Sequence, residues 1–171
     1  APSYVFNYGK LTGSLFVSSV AANDVSQGSA GDCYLIASLG AVANSKSSSI
    51  LNAFTDNGNG TYGVKFYLNG SAAYTTVDKQ IPVTSYGTIA YAGNANKSLS
   101  GETWVSLFEK AYIQLNGQAN INPVNNYTGE VSYQALEGGW ANPLKQITGQ
   151  NYSYYSSTAL GWSPQDSFAS G

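Results

Sequence analysis

Across residues 33–43, apolar side chains recur at Leu35, Ile36, Leu39, Val42 and Ala43, the three-and-four spacing of a helix face. The run predicts a helix buried on most sides, with Asp32 placed to act as its N-cap. A second stripe of Trp104, Phe108, Ala111, Tyr112 and Leu115 predicts a helix over 102–116. Ser100 is its expected cap, Glu102 suits the positive helix start, and Gly117 is the expected stop. A shorter helix is expected over 132–137, ending at Gly138-Gly139. Between the two long helices the period changes to two. Residues 61–68 alternate, Asn69-Gly70 is a strong hairpin signal, and 73–77 return along the partner strand. Residues 81–83, 88–91 and 152–158 are weaker strand candidates, and 163–171 reads as a frayed end. Residues 1–26 form an irregular lead-in with strand character at Leu15-Phe16-Val17, and 27–171 read as one compact domain. The order helix, hairpin, helix, helix gives an α+β fold.

Composition narrows the function classes. Of 171 residues only 9% are charged, against roughly 25% in an average globular domain. All seven cations are Lys; the chain has no Arg, Met or His, and uses Asn, Ser, Gly, Thr and fourteen Tyr for polarity. That style of surface points to an extracytoplasmic or secreted setting. A net charge of −2 offers no basic patch for a phosphate backbone, so nucleic acid is not an expected partner. No apolar run approaches the 18 or so residues of a membrane span, so no membrane association is expected either. The start at Ala1-Pro2, without Met or a signal-like apolar segment, suggests an N-terminus made by processing.

The single cysteine excludes an internal disulfide framework and a Cys-based zinc cage. Cys33 has two readings. A lone Cys beside apolar residues is commonly inert core. At the first turn of a helix, however, unsatisfied N–H groups and the helix dipole favour thiolate, the reactive form. Gly28 and Gly31 allow close backbone approach or positive φ nearby. Gln27, six residues upstream, can turn an amide donor toward a developing oxyanion. Asp32 opposes thiolate formation unless its side chain is engaged in capping.

The stretch Asp24-Val25-Ser26-Gln27-Gly28-Ser29-Ala30-Gly31-Asp32-Cys33-Tyr34-Leu35-Ile36-Ala37-Ser38-Leu39 closely resembles the active-site segment of calpains, Asp-Ile-x-Gln-Gly-x-x-Gly-Asp-Cys-Trp-Leu-Leu-Ala-Ala-Leu. Residues 101–112, with Glu102, Trp104 and Glu109-Lys110-Ala111-Tyr112, are similar to a second calpain segment, and 77–83 to the strand before it. The resemblance covers most of the chain. It implies a papain-like cysteine protease fold, here the Cys-bearing lobe, with Cys33 as nucleophile of peptide hydrolysis. Gln27 and the Cys33 backbone N–H are then the oxyanion donors. It also implies a calcium ion held by Asp24, Glu102 and the carbonyls of Val17 and Ser19, oxygen ligands suited to a hard cation. The family's Ser-Gly-Gly after the second segment has no match here, where the chain reads Pro123-Val124-Asn125-Asn126, while Gly138-Gly139 matches a later Thr-Gly-Gly. Subsite preferences therefore do not carry over.

Papain-type chemistry needs a His to move the proton and an Asn to orient it. Calpains supply both from a second lobe, and this chain has no His, so on its own it is expected to be inactive. Three explanations stand: an isolated subdomain, a protease matured by cleavage whose His/Asn half stays docked as a second polypeptide, or a non-catalytic relative used as a binding or scaffold module. The first two are the favoured expectation, with a protein or peptide substrate. Trp140, Trp162, Tyr152, Tyr154 and Tyr155 are compatible with a face that meets the second lobe, and equally with ordinary core.

Overall fold

A computed structural model describes residues 7–28, 33–119, 133 and 143–150. Its elements in chain order are β1 (Asn7–Lys10), a 3-10 turn (Ala22–Asp24), α1 (Cys33–Ser45), α2 (Ser47–Leu51), β2 (Phe54–Asp56), β3 (Thr61–Leu68), β4 (Ser71–Asp78), β5 (Gln80–Val83), α3 (Trp104–Ala119) and α4 (Pro143–Thr148). The fold class is α+β, with small antiparallel sheets and helices.

The hairpin forms where the alternation and Asn69-Gly70 place it. Thr61 faces Asp78 and Leu68 faces Ser71, and both turn residues sit at positive φ (51° and 82°), as the tight primed turn requires. β2 adds a third strand through Phe54 opposite Val64. One face of this sheet is buried by α3, whose Trp104, Leu107, Phe108 and Ala111 are fully enclosed. Phe108 meets Phe66 at 5.1 Å and Phe54 at 5.8 Å, both edge-to-face, and Tyr112 meets Phe66 at 5.9 Å. α1 buries Leu35, Leu39, Val42 and Ala43 in the same core and leaves Cys33, Asn44 and Ser45 exposed. That orientation puts the thiol at the surface end of a helix anchored by its remaining turns.

Several expected features are corrected. Leu15-Phe16-Val17 is not a strand; the carbonyls of Ser14 and Leu15 instead accept the N–H groups of Thr103 and Trp104, closing the start of α3. The strand of the described lead-in is β1, paired with β5 from Asn7–Val83 to Lys10–Gln80. α3 begins two residues after Glu102 and runs through Gly117 to Ala119, so neither Ser100 nor Gly117 bounds it. Residues 88–91 make only an isolated bridge, Val83 to Ile89, beside a tight 84–88 turn. Lys110 reaches Asp78 at 2.5 Å and the Gln80 carbonyl at 2.5 Å, tying α3 to the β4–β5 corner. The expected Asp32 cap, the 132–137 helix (apart from Tyr133), Gly138-Gly139, the 152–158 strand, the 163–171 end and the named aromatics from Trp140 onward lie outside the described residues.

Candidate active site

Cys33 is the first residue of α1 and is solvent-exposed. It lines an open cavity of about 300 Å³ together with Gln27, Ile36 and Ala37. The two sequence-predicted catalytic residues therefore share one cleft, and the apolar side chains of the next helical turn form its floor. A thiol at a helix start is exposed to the positive end of the helix dipole. An amide in the same cleft supplies a neutral donor without altering the charge balance around the thiol.

The segment carrying Gln27 is held by its backbone. Ser26 and Gly93 exchange both N–H to carbonyl bonds at 3.0 Å, an isolated antiparallel bridge. Gly28 lies against Tyr91 so closely that an added Cβ would stand 2.2 Å from the Tyr91 carbonyl carbon. Gly28 has no positive φ, so its glycine answers a need for space and not for handedness. Tyr91 is stacked flat on Tyr133, with ring centroids 3.9 Å apart.

A second cleft, lined largely by residues 94–102, gathers the candidate cation ligands. Val17, Asp24 and Glu102 line it with Asn23, Asn94, Asn96, Ser98 and Ser100, around about 470 Å³. Ser19, which the resemblance adds to the ligand set, is not among its lining residues. Asp24 is fixed by the 3-10 turn: its Oδ2 accepts the Ala21 N–H at 2.8 Å and the Trp104 indole N–H at 3.4 Å. Glu102 accepts the Val17 N–H. Burial raises the Glu102 carboxyl above its ordinary value, against the Val17 N–H, and the adjacent Asp24 carboxylate raises it further. Two carboxylates that repel one another among neutral oxygens are what a hard divalent cation relieves, so the donor set fits calcium. Among the described residues no three His, Cys, Asp or Glu side chains converge, so further ligands have to be neutral oxygens.

The sequence reading missed Lys97 and Asn94. The Asn94 side chain donates to the carbonyls of Ser98 (2.8 Å) and Glu102 (3.1 Å) and accepts the Ser98 N–H (3.0 Å), so it staples the 94–102 loop. An Asn/Ser-rich stretch signals a turn in sequence, but nothing in its spacing reports which carbonyls its side chains reach.

Comparison with known proteins bears on the family of the chain. The model of the calpain family cysteine proteases matches residues 9–160. The calpain-type cysteine protease DEK1 of Zea mays is 34% identical over 137 residues, covering 79% of this chain and 6% of the maize protein. Calpain-B of Drosophila melanogaster is 31% identical over 149 residues, 82% of this chain and 14% of the fly protein. Calpain clp-1 of Caenorhabditis elegans is 33% identical over 135 residues, 74% of this chain and 15% of the worm protein. The chain thus spans only a small part of the length of these relatives.

Proposed function

This chain belongs to the calpain family of cysteine proteases, and we propose that it is the nucleophile-bearing half of a cysteine endopeptidase. The observation that carries the proposal is the shared cleft of Cys33 and Gln27 at the exposed start of α1. The Cys33 thiolate attacks the carbonyl carbon of a peptide bond. A C–S bond forms, the carbonyl π electrons move to oxygen, and the Gln27 amide with the Cys33 N–H donates to that oxyanion. The C–N bond then breaks as the leaving amine takes a proton, and water releases the acyl group from sulfur by the reverse sequence. The proton carrier is a His outside this chain, which has none. A second lobe or polypeptide bearing His and Asn is therefore part of the proposal, and this chain alone does not turn over.

Asp24 and Glu102 would hold a calcium ion, with Val17 in the same cleft. When bound, the ion supplies charge compensation between the two carboxylates and joins the 17–24 segment to the start of α3. It takes no part in bond cleavage.

The test uses this chain alone and together with a polypeptide carrying the His and Asn. Alone, Cys33 is expected to react with a peptidyl electrophile without hydrolysing peptides. With the partner, an unfolded protein substrate is cut, and Cys33→Ser abolishes the cutting. If the electrophile leaves Cys33 untouched and the pair hydrolyses nothing, the protease reading fails and a binding or scaffold module takes its place.

A further inference from the structure

We propose that Lys97 is a positioning residue for the oxyanion donor Gln27, an inference that rests on the catalytic reading above. The Lys97 ammonium donates to the Ser26 carbonyl at 2.8 Å and to the Tyr91 carbonyl at 2.7 Å. The Ser26 oxygen belongs to the peptide unit that leads directly into Gln27. It already accepts the Gly93 N–H at 3.0 Å, so with Lys97 both of its lone-pair directions are used and the orientation of that peptide is fixed. The Tyr91 carbonyl is the group against which Gly28 packs on the other side of Gln27. One ammonium therefore clamps the chain just before Gln27 to the surface that braces it just after. Charge-assisted bonds of this kind are about twice as strong as neutral ones, and they carry the clamp across two segments more than 60 residues apart.

The backbone of Lys97 points the same way. Its φ is +53°, the left-handed region where Gly or Asn is the ordinary occupant. The strained backbone is held by the Lys97 N–H to the Asn94 carbonyl (3.0 Å) and by the Ile89 N–H to the Lys97 carbonyl (2.8 Å). A glycine would meet those two bonds at less conformational cost, and what it lacks is the side chain. A lysine kept at such a position, and turned inward onto two carbonyls, is used for its ammonium.

Lys97 touches neither thiol nor substrate, so its removal should act through Gln27. In the chain assembled with its His-bearing partner, Lys97→Met should lower kcat by at least about tenfold with KM little changed, because a donor aimed at the transition state is misplaced. In the Gln27→Ala background the same Lys97→Met change should have no further effect on kcat. Lys97→Arg, which can still donate to two carbonyls, should recover most of the rate. On this chain alone, hydrogen exchange at the Ser26 and Gly93 amides should quicken in Lys97→Met while that of α3 amides stays unchanged; this readout needs no turnover. Equal losses in the wild-type and Gln27→Ala backgrounds, or unchanged exchange at Ser26 and Gly93, would overturn the inference. Should Lys97→Met fail to fold, Lys97→Gln, whose neutral amide cannot span both carbonyls, is compared in the same two backgrounds with the same two outcomes. If Gln27→Ala itself leaves kcat intact, the catalytic reading has failed, an outcome distinct from the failure of Lys97 alone.

Discussion

Gly28→Ala is the substitution in which the structure fixes the size of the effect. A Cβ there would lie 2.2 Å from the Tyr91 carbonyl carbon and 2.3 Å from its Cα and oxygen. All three are backbone atoms, on a segment held by Lys97 and by the Tyr133 stack, so no rotamer change opens space. Restoring ordinary contact requires the chain at 28 or 91 to move by roughly an ångström. The displaced residue is the neighbour of Gln27, and a misplacement of about 1 Å at a catalytic group costs on the order of 10²-fold in rate. That is about 2.7 kcal/mol of transition-state stabilisation. Steady-state cleavage of a fluorogenic peptide by the assembled enzyme should show the loss in kcat with KM little changed. Alkylation of Cys33 by iodoacetamide, which needs the thiolate but no oxyanion donor, should be unaffected. A folded Gly28→Ala enzyme with full kcat would refute the reasoning, and so would a parallel fall in alkylation, which would place the damage in α1.

The other predictions are shorter. Calcium should raise the melting temperature of this chain, by an amount equivalent to about 2.7 kcal/mol at a hundred times its Kd. Glu102→Gln or Asp24→Asn should remove the shift, and an unshifted wild-type melt against chelator at millimolar calcium would count against the cleft as a cation site. Phe108→Ala empties the centre of the aromatic cluster and should cost about 3–5 kcal/mol in urea unfolding, with a loss under about 1 kcal/mol contradicting the packing. Asp78 is held below its ordinary value of 3.8, chiefly by its bond to Lys110 and against its partial burial. A depressed folded value means the contribution is complete at neutral pH and is lost as pH falls below about 3.8 through the folded value. Asp78→Asn should therefore flatten the acid limb of a melting-temperature profile slightly, since the carboxylate is more than half exposed; an unchanged limb would assign the acid sensitivity elsewhere.

What the sequence revealed follows from where each signal is stored. The core of α1, the β3–β4 hairpin and the stripe of α3 are written locally, as periodicity and as Asn69-Gly70, and all three form. The misplaced features are those whose hydrogen bonds run to distant partners. Leu15-Phe16-Val17 has the residue types of a strand, but the neighbouring carbonyls are taken by Thr103 and Trp104, nearly ninety residues away. Gly117 is a plausible stop by propensity alone, yet α3 continues past it, because a helix buried along most of its length is set by packing and not by one weak residue. Cys33 and Gln27 were singled out by the resemblance of residues 24–39 to a known segment, and the two line one cleft. Ser19 came from the same resemblance, and it is not among the residues lining the cleft that Val17, Asp24 and Glu102 share.

Lys97 was illegible for a physical reason, and the reason bears on how this half of the site is built. Side chains that act on other side chains leave compositional traces: a nucleophile, an amide, a pair of carboxylates. Lys97 acts on the carbonyls of Ser26 and Tyr91, groups every residue possesses, so neither end of its contact has a sequence signature. The same holds for Asn94, whose amide closes the loop from Ser98 to Glu102. Together they make residues 94–102 a single brace that joins the segment of Gln27 to Glu102. A rigid brace of backbone bonds has a functional consequence that a cluster of ionic contacts lacks. With 9% charged residues, the chain has few ion pairs to spend on positioning, and bonds to carbonyls are less sensitive to salt than exposed pairs. On the proposed mechanism Gln27 is then held in place before substrate arrives, the condition under which an oxyanion donor lowers a barrier without reorganising at the moment of reaction.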